Sequence, residues 1–143
     1  MTGFVATADT EITASPDRVW AVLTDPAQIR RFMFGAEVST DWLPGSPITW
    51  TGEYEGTAYE DKGEILAVEP GRLLKLTHYS PLSGAPDRPE SYHTLTYELT
   101  GVATGTHLSL SQDNNASPAE AEHARAMWAG HVDGIKQAAE GAE

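Results

Sequence analysis

The last quarter of the chain sets the terms for everything before it. Ser117 and Glu120 stand in the S-x-x-E spacing of a capping box, and Pro118 falls at the first helical position, where a missing N–H is harmless. Ala121, Ala124, Trp128, Val132, Ile135 and Ala139 then recur at steps of three and four, which is one face of a helix. Gly141 offers a stop. The spacing predicts a helix over 117–141, roughly 34 Å long at about 1.5 Å per residue. An apolar stripe of that length needs a partner surface to match, and the middle of the chain offers only an antiparallel sheet.

Taken from the start, Phe4 to Thr13 alternates and carries β-branched residues, so it reads as a strand with Glu11 toward water and Ile12 inward. Ser15-Pro16-Asp17 opens a short helix with Val19, Val22 and Leu23 as its buried stripe and Trp20 beside them. Asp25-Pro26 interrupts it and opens a second, with Ile29, Phe32 and Met33 inward and Gly35 at its end. The period then changes to two. Strands are expected over 37–41, 48–54, 59–69, 72–79, 91–100 and 106–113, with a Pro- and Gly-rich loop from Pro81 to Pro89 and a turn from Gly101 to Gly105. That loop is long for a hairpin, a mark of functional loops. Strands joined by short turns make an antiparallel sheet, and a lone long helix must cover one face of it. The expected class is α+β: about six to seven strands curved around the terminal helix, with two short helices after strand 1. No repeat or linker divides residues 1–143, so a single domain is expected.

Composition closes off several functions. The formal charge is −12, and the only adjacent basic pair is Arg30-Arg31, so a nucleic-acid or anionic-membrane surface is not expected. There are no cysteines, which removes disulfides, thiolate metal sites and cysteine nucleophiles. The opening Met1-Thr2-Gly3-Phe4-Val5 lacks the basic and apolar runs of a signal peptide, and no stretch approaches the ~20 apolar residues of a membrane span. The expected location is the cytoplasm.

Several segments resemble a known family. Ile12 to Trp20 with Leu23-Thr24-Asp25-Pro26 resembles the opening signature of the START-like, or SRPBCC, helix-grip superfamily. Ser39 to Ser46, Gly63-Glu64-Ile65-Leu66 with Glu69-Pro70, and Trp128 with Ile135-Lys136 resemble, more narrowly, the bacterial single-domain relatives of the activator of the heat-shock protein 90 ATPase. The resemblance spans essentially the whole chain. It implies a helix-grip fold with a cavity between sheet and long helix. The superfamily includes lipid carriers, plant hormone receptors, polyketide cyclases and aromatases, and co-chaperone domains. His78 stands where that family usually has Trp, His131 where it has an aliphatic residue, and Met127 where Gly precedes the Trp. Such changes alter a cavity without altering the fold.

Alternation places His93, Leu95 and Tyr97 on one face of a strand. Leu108, Leu110 and Gln112 share a face of the next, as do Leu74, Leu76 and His78, and Ile48, Trp50 and Tyr54. If these faces look toward the helix, the expected ligand-binding set is Trp50, Tyr54, Leu76, His78, His93, Leu95, Tyr97, Leu110 and Gln112, joined from the helix by Met127, Trp128 and His131. Apolar walls with a few polar groups are what a small-molecule pocket uses. The plain alternative for each polar residue is a core side chain satisfied by backbone or water.

The expected function is therefore binding of a small hydrophobic or aromatic molecule of lipid, flavonoid or polyketide type. An enzyme of cyclase or aromatase type, with His78 or His93 and Tyr97 as acid and base, is the second expectation. A chaperone ATPase-activating cofactor is the third, and a homodimer is compatible with each. No metal is expected, since the five histidines lack ligand spacing. No cofactor is expected either: there is neither a Gly-rich phosphate loop nor a G-x-S-x-G elbow. Gly130 and Gly134 each cost a helix interior about 1 kcal/mol relative to Ala, so they mark either close packing or a bend that lets ligand pass. Phe32, Phe34, Trp42 and Leu43 read as core edge, cavity rim or partner contact, and Arg30-Arg31 as a solvated helix face.

Overall fold

The computed structural model describes residues 3–33 and 35–141, apart from the side chains of Tyr54 and Leu82. Phe34 lies outside the described residues. In order, the elements are β1 (Phe4–Ile12), α1 (Pro16–Leu23), α2 (Pro26–Phe32), β2 (Glu37–Ser39), β3 (Pro47–Tyr54), β4 (Thr57–Glu69), β5 (Leu73–His78), β6 (His93–Val102), β7 (Gly105–Asn115) and α3 (Pro118–Glu140). Two short 3-10 turns, Pro81–Ser83 and Pro89–Ser91, break the loop between β5 and β6.

The strands form one antiparallel sheet in the order β1-β7-β6-β5-β4-β3-β2. Successive hairpins build β2 to β7, and β1 crosses back over α1 and α2 to pair with β7. This is the α+β helix-grip arrangement. Some turns are tighter than the sequence suggested. Val102 pairs with Gly105, so the expected five-residue turn shrinks to Ala103 and Thr104. Glu55 and Gly56 both have positive φ, 50° and 82°, and join β3 to β4 as a two-residue turn that matches the twist of the flanking strands. β4 therefore starts at Thr57, two residues earlier than expected.

Each helix begins at its anticipated cap. Ser15 Oγ accepts from Arg18 N at 3.2 Å, and Asp25 Oδ1 accepts from Ala27 N at 2.9 Å. Ser117 Oγ accepts from Glu120 N at 3.1 Å, while the Glu120 carboxylate takes the N–H of Ala116, one residue before the cap. Gly141 ends α3 in an extended conformation, its N–H donating to Gln137 O at 3.0 Å. The stripe of α3 is buried as its spacing required, with Ile135 wholly enclosed.

Where α3 lies decides the shape of the interior. Its strand packing is on β1 and β7, and its flank meets α1 and α2. Polar ties hold its C-terminal half there. Lys136 Nζ donates to Glu11 O at 2.7 Å, Thr13 N donates to the Glu140 carboxylate at 2.7 Å, and the Arg18 guanidinium reaches the carbonyls of Ala138 and Ala139 at 3.2 and 3.3 Å. Gly134 lets α2 close in: a Cβ there would stand 2.8 Å from Phe32 Cβ. Gly130 has nothing within 4 Å of the corresponding point. One of the two helix glycines serves close packing, the other faces open space, and α3 runs unbroken through both.

Candidate ligand cavity

Because α3 sits over β1 and β7, space remains beside it at the end of the sheet where β4, β5 and β6 carry Tyr59, Asp61, His78 and His93. A cavity of about 360 Å³ occupies that space. Phe32 and Met33 enclose it from the end of α2, and Met127, Trp128 and His131 from α3. Tyr59 and Asp61 of β4, His78 of β5, His93 of β6 and Gln112 of β7 line the sheet side, with Ser80, Ser83 and Ser91 from the long loop. Its volume falls in the range of small-molecule sites, roughly 300–1,000 Å³.

The polar groups of this wall are held by specific partners. His78 Nε2 lies 2.9 Å from Asp61 Oδ2, so the carboxylate accepts from a proton on Nε2. His93 Nδ1 lies 2.8 Å from the carbonyl of Asp113; a carbonyl only accepts, so that nitrogen carries a proton. Tyr97 Oη stands 3.0 Å from His131 Nε2. Burial pushes the Tyr97 phenol far above its usual range and pulls His131 down to about 4. Both groups are neutral, and one hydrogen bond joins them. The imidazole is boxed edge-on by Phe32 at 5.2 Å and Trp128 at 5.1 Å between centroids.

Four side-chain polar atoms of the lining residues have almost no accessible surface, toward the cavity or elsewhere, and no hydrogen-bond partner: Asp61 Oδ1, His78 Nδ1, Gln112 Oε1 and Trp128 Nε1. Among the described residues only Thr96 Oγ1 shares that condition elsewhere. An atom of this kind costs about 1–3 kcal/mol if it stays unbonded. Burial, with the nearby Asp61 charge second, also raises the Tyr59 phenol, keeping it a neutral donor. Among the described residues, no Lys or Arg lines the cavity and Asp61 is the one carboxylate that does.

Of the expected ligand-binding residues, His78, His93, Gln112, Met127, Trp128 and His131 come together around this cavity. Met127 is at the mouth, 52% exposed. Trp50, Leu76 and Tyr97 instead surround a void of only about 20 Å³ next to Leu23 and Ile29, a close-packed floor. Leu95 and Leu110 are likewise core. Their faces are the inner ones, but side chains of α1, α2 and α3 fill the space above them. Trp50 still touches the site through its edge contact with His78 at 5.1 Å. The side chain of Tyr54 lies outside the described residues. Phe32 is cavity wall, Trp42 packs on the core, and Leu43 is 59% exposed.

Tyr59, Asp61, Ser80, Ser83 and Ser91 were not anticipated. A signal for two of them was present: Tyr59 and Asp61 alternate with the wholly buried Ile65 on β4. Asp61 sits within Glu60-Asp61-Lys62, a run that looks solvated. Gly52, opposite Tyr59 in the β3–β4 ladder, makes room for its ring; a Cβ there would lie 2.8 Å from Tyr59 Oη.

A larger groove of about 440 Å³ lies beside Lys62, Glu64, Thr77 and the 87–92 loop, but it is open and charged. Lys62 and Asp87 already pair across it. Among the described residues no group of three or more His, Asp or Glu is placed to hold a metal ion, and no helix is long and apolar enough to cross a membrane.

Comparison with known proteins follows the same lines. The pattern of the family described as "Activator of Hsp90 ATPase homolog 1-like protein" matches residues 13–140. Protein ChR145 of Cytophaga hutchinsonii, known from a solution structure, is 41% identical with a TM-score of 0.84, over 96% of this chain and 94% of that one. The Aha1 dimer of Colwellia psychrerythraea, also solved in solution, is 18% identical at a TM-score of 0.73, over 96% of both chains. DynU16, a protein of the dynemicin biosynthetic locus, is 19% identical at 0.76; the match covers 93% of this chain and 46% of that one. At such identities the last two speak for the fold alone. No curated protein matches the chain.

Proposed function

The chain belongs to the activator of Hsp90 ATPase homolog 1-like family, and from that premise we propose that it binds a small hydrophobic or aromatic molecule between sheet and α3. One observation carries this: a cavity of about 360 Å³ with aromatic and thioether walls into which a few polar residues, His78, His93 and Gln112 among them, are set. Apolar walls supply affinity, and a few polar groups supply orientation. The contacting residues are then His78, His93, Gln112, Met127, Trp128 and His131, with Phe32, Tyr59 and Asp61. Native mass spectrometry after incubation with lipid, flavonoid and polyketide mixtures tests the proposal. A retained ligand at 1:1, lost in Trp128→Ala but kept in Leu43→Ala, is the expected result. Ligand retained equally by both variants places the site elsewhere, and none retained by the unmodified chain removes it.

A second reading has its own observation. Asp61 Oδ2 lies 2.9 Å from His78 Nε2 on the cavity wall, a carboxylate–imidazole pair of the kind that serves acid–base chemistry. Cyclase-type chemistry would show in the same experiment as a bound mass changed by loss of water. A chaperone-cofactor role predicts stimulated chaperone ATPase with the cavity empty. A homodimer, as in the Colwellia protein, fits each of these.

A further inference from the structure

Gly52 stands inside β3 with no backbone need to be glycine: it is not among the residues of positive φ, and it faces Tyr59 across the ladder. Glycine within a strand weakens it, so such a position marks a close approach by something else. At Gly63 that something is backbone, since a Cβ there would run into the Thr77 carbonyl. At Gly52 the three nearest atoms all belong to the Tyr59 side chain. Oη lies 2.8 Å, Cζ 3.0 Å and Cε2 3.2 Å from the point where a Cβ would stand. The outer half of the ring therefore rests on the bare backbone of β3. Tyr59 also lines the cavity, whereas among the described residues no side chain of β3 does. The ring is a partition, with Gly52 behind it and the cavity in front.

Resting on the ligand-binding reading above, we propose that Gly52, without touching ligand, sets the width of the cavity by letting Tyr59 lie back. The space so kept open admits rigid ligands of three or more fused rings. A methyl group added at Gly52 meets only a side chain, and a phenol swings about its own bonds more readily than a paired strand moves. The ring then leaves β3 and enters the space in front of it. Packed walls feel a change of a single methylene. A wide, rigid ligand has no room to retreat from the displaced ring, while a two-ring ligand shifts within the remainder of the cavity. Gly52 is thus a positioning residue acting through Tyr59.

Two neutral fluorescent probes separate width from affinity at large: Nile red, with four fused rings, and 2-naphthol, with two. Each is titrated into the unmodified chain, Gly52→Ala, Tyr59→Ala and the double variant. Gly52→Ala is expected to weaken Nile red about tenfold and 2-naphthol less than about twofold. In the Tyr59→Ala background the same glycine change should alter neither affinity, because the ring that couples the two positions is gone. Equal weakening of both probes, or a glycine effect that persists without the Tyr59 ring, overturns the inference and leaves the ligand-binding cavity standing. Failure of both probes to bind the unmodified chain overturns the ligand-binding reading, and the control of width with it. A further measurement needs neither ligand nor variant. Nuclear Overhauser contacts between the Gly52 Hα protons and the Tyr59 ring are expected in the unmodified chain, and their absence also overturns the proposal.

Discussion

The two halves of the sheet's concave face are built from the same kind of strand and end in opposite states. Over β1 and β7 the interior is solid: Ala6, Ala8, Ile12, Leu108 and Leu110 are buried with Val132, Ile135, Ala138 and Ala139 of α3. Over β5 and β6, Leu74, Leu76, Leu95 and Tyr97 are also packed, but toward Tyr59, Asp61, His78 and His93 a cavity of about 360 Å³ remains. Small residues explain the asymmetry. Alanines on both β1 and α3 let the two backbones approach, and the Lys136, Arg18 and Glu140 ties hold them there. Drawn to one side, α3 leaves the other roofed only by its own edge and α2. A hollow can thus arise from where a helix is pulled rather than from a shortage of apolar side chains.

Mutations in the two halves should therefore differ most in stability. Ile135→Ala, in the solid half, is expected to lower unfolding free energy by about 3–4 kcal/mol, within the usual range for Ile to Ala in a core. Gln112→Leu, on the hollow wall, is expected to be neutral or stabilising by up to about 1 kcal/mol, since it removes an unpartnered buried oxygen. Urea unfolding of both variants checks the contrast, and equal losses would erase it.

His131, at the boundary between the halves, gives a pH dependence of slightly smaller size. Its folded value, about 4, lies below the ordinary 6.5 because burial disfavours the cation. The unfolded chain then binds more protons between these values, so stability is fully present above 6.5 and is lost as pH falls toward 4. The span corresponds to a loss on the order of 3 kcal/mol. His131→Phe should flatten this acid limb of the stability curve; an unchanged slope would mean the imidazole is not enclosed.

The helix glycines probe the boundary more finely. Gly134→Ala should destabilise by about 1–3 kcal/mol, as its Cβ meets Phe32 and overpacks the α2–α3 contact. Gly130→Ala, with open space at that point, should stabilise by about 0.5–1 kcal/mol through helix propensity. Opposite signs in thermal melts are the expected outcome, and the same sign at both positions contradicts the offset of α3.

The smallest effect belongs to His107, outside both halves. Its hydrogen bond to Glu11 raises it above the ordinary value, with the charges of Glu11 and Asp9 adding to this against desolvation. Its contribution is present below the unfolded value and fades as pH rises through the folded one, the reverse of His131. The pair is half-exposed and screened, so His107→Gln should alter the alkaline side only slightly, and less in high salt.

Much of the fold was legible because its signals are local. Ser15, Asp25 and Ser117 cap the helices they precede, and the α3 stripe is buried at every position the three-and-four spacing named. The cavity was half legible. His78, His93 and Gln112 could be placed on inner faces by alternation, yet so could Leu95 and Leu110, and nothing in a period of two separates wall from core. Asp61 escaped because a charged triplet looks solvated until β5 brings His78 to it.

The chain alone determined the order of elements, their caps, the face each one buries, and the residue types able to bind a small molecule, all properties of neighbours a few positions apart. Only the tertiary structure decided that β1 lies beside β7, that α3 is drawn over that pair, and hence which inner-facing residues enclose space and which are packed under helices. Those outcomes depend on contacts more than a hundred residues apart, such as Glu11 with Lys136 and Thr13 with Glu140. No periodicity encodes a contact of that span; packing and hydrogen bonding across the assembled layers settle it.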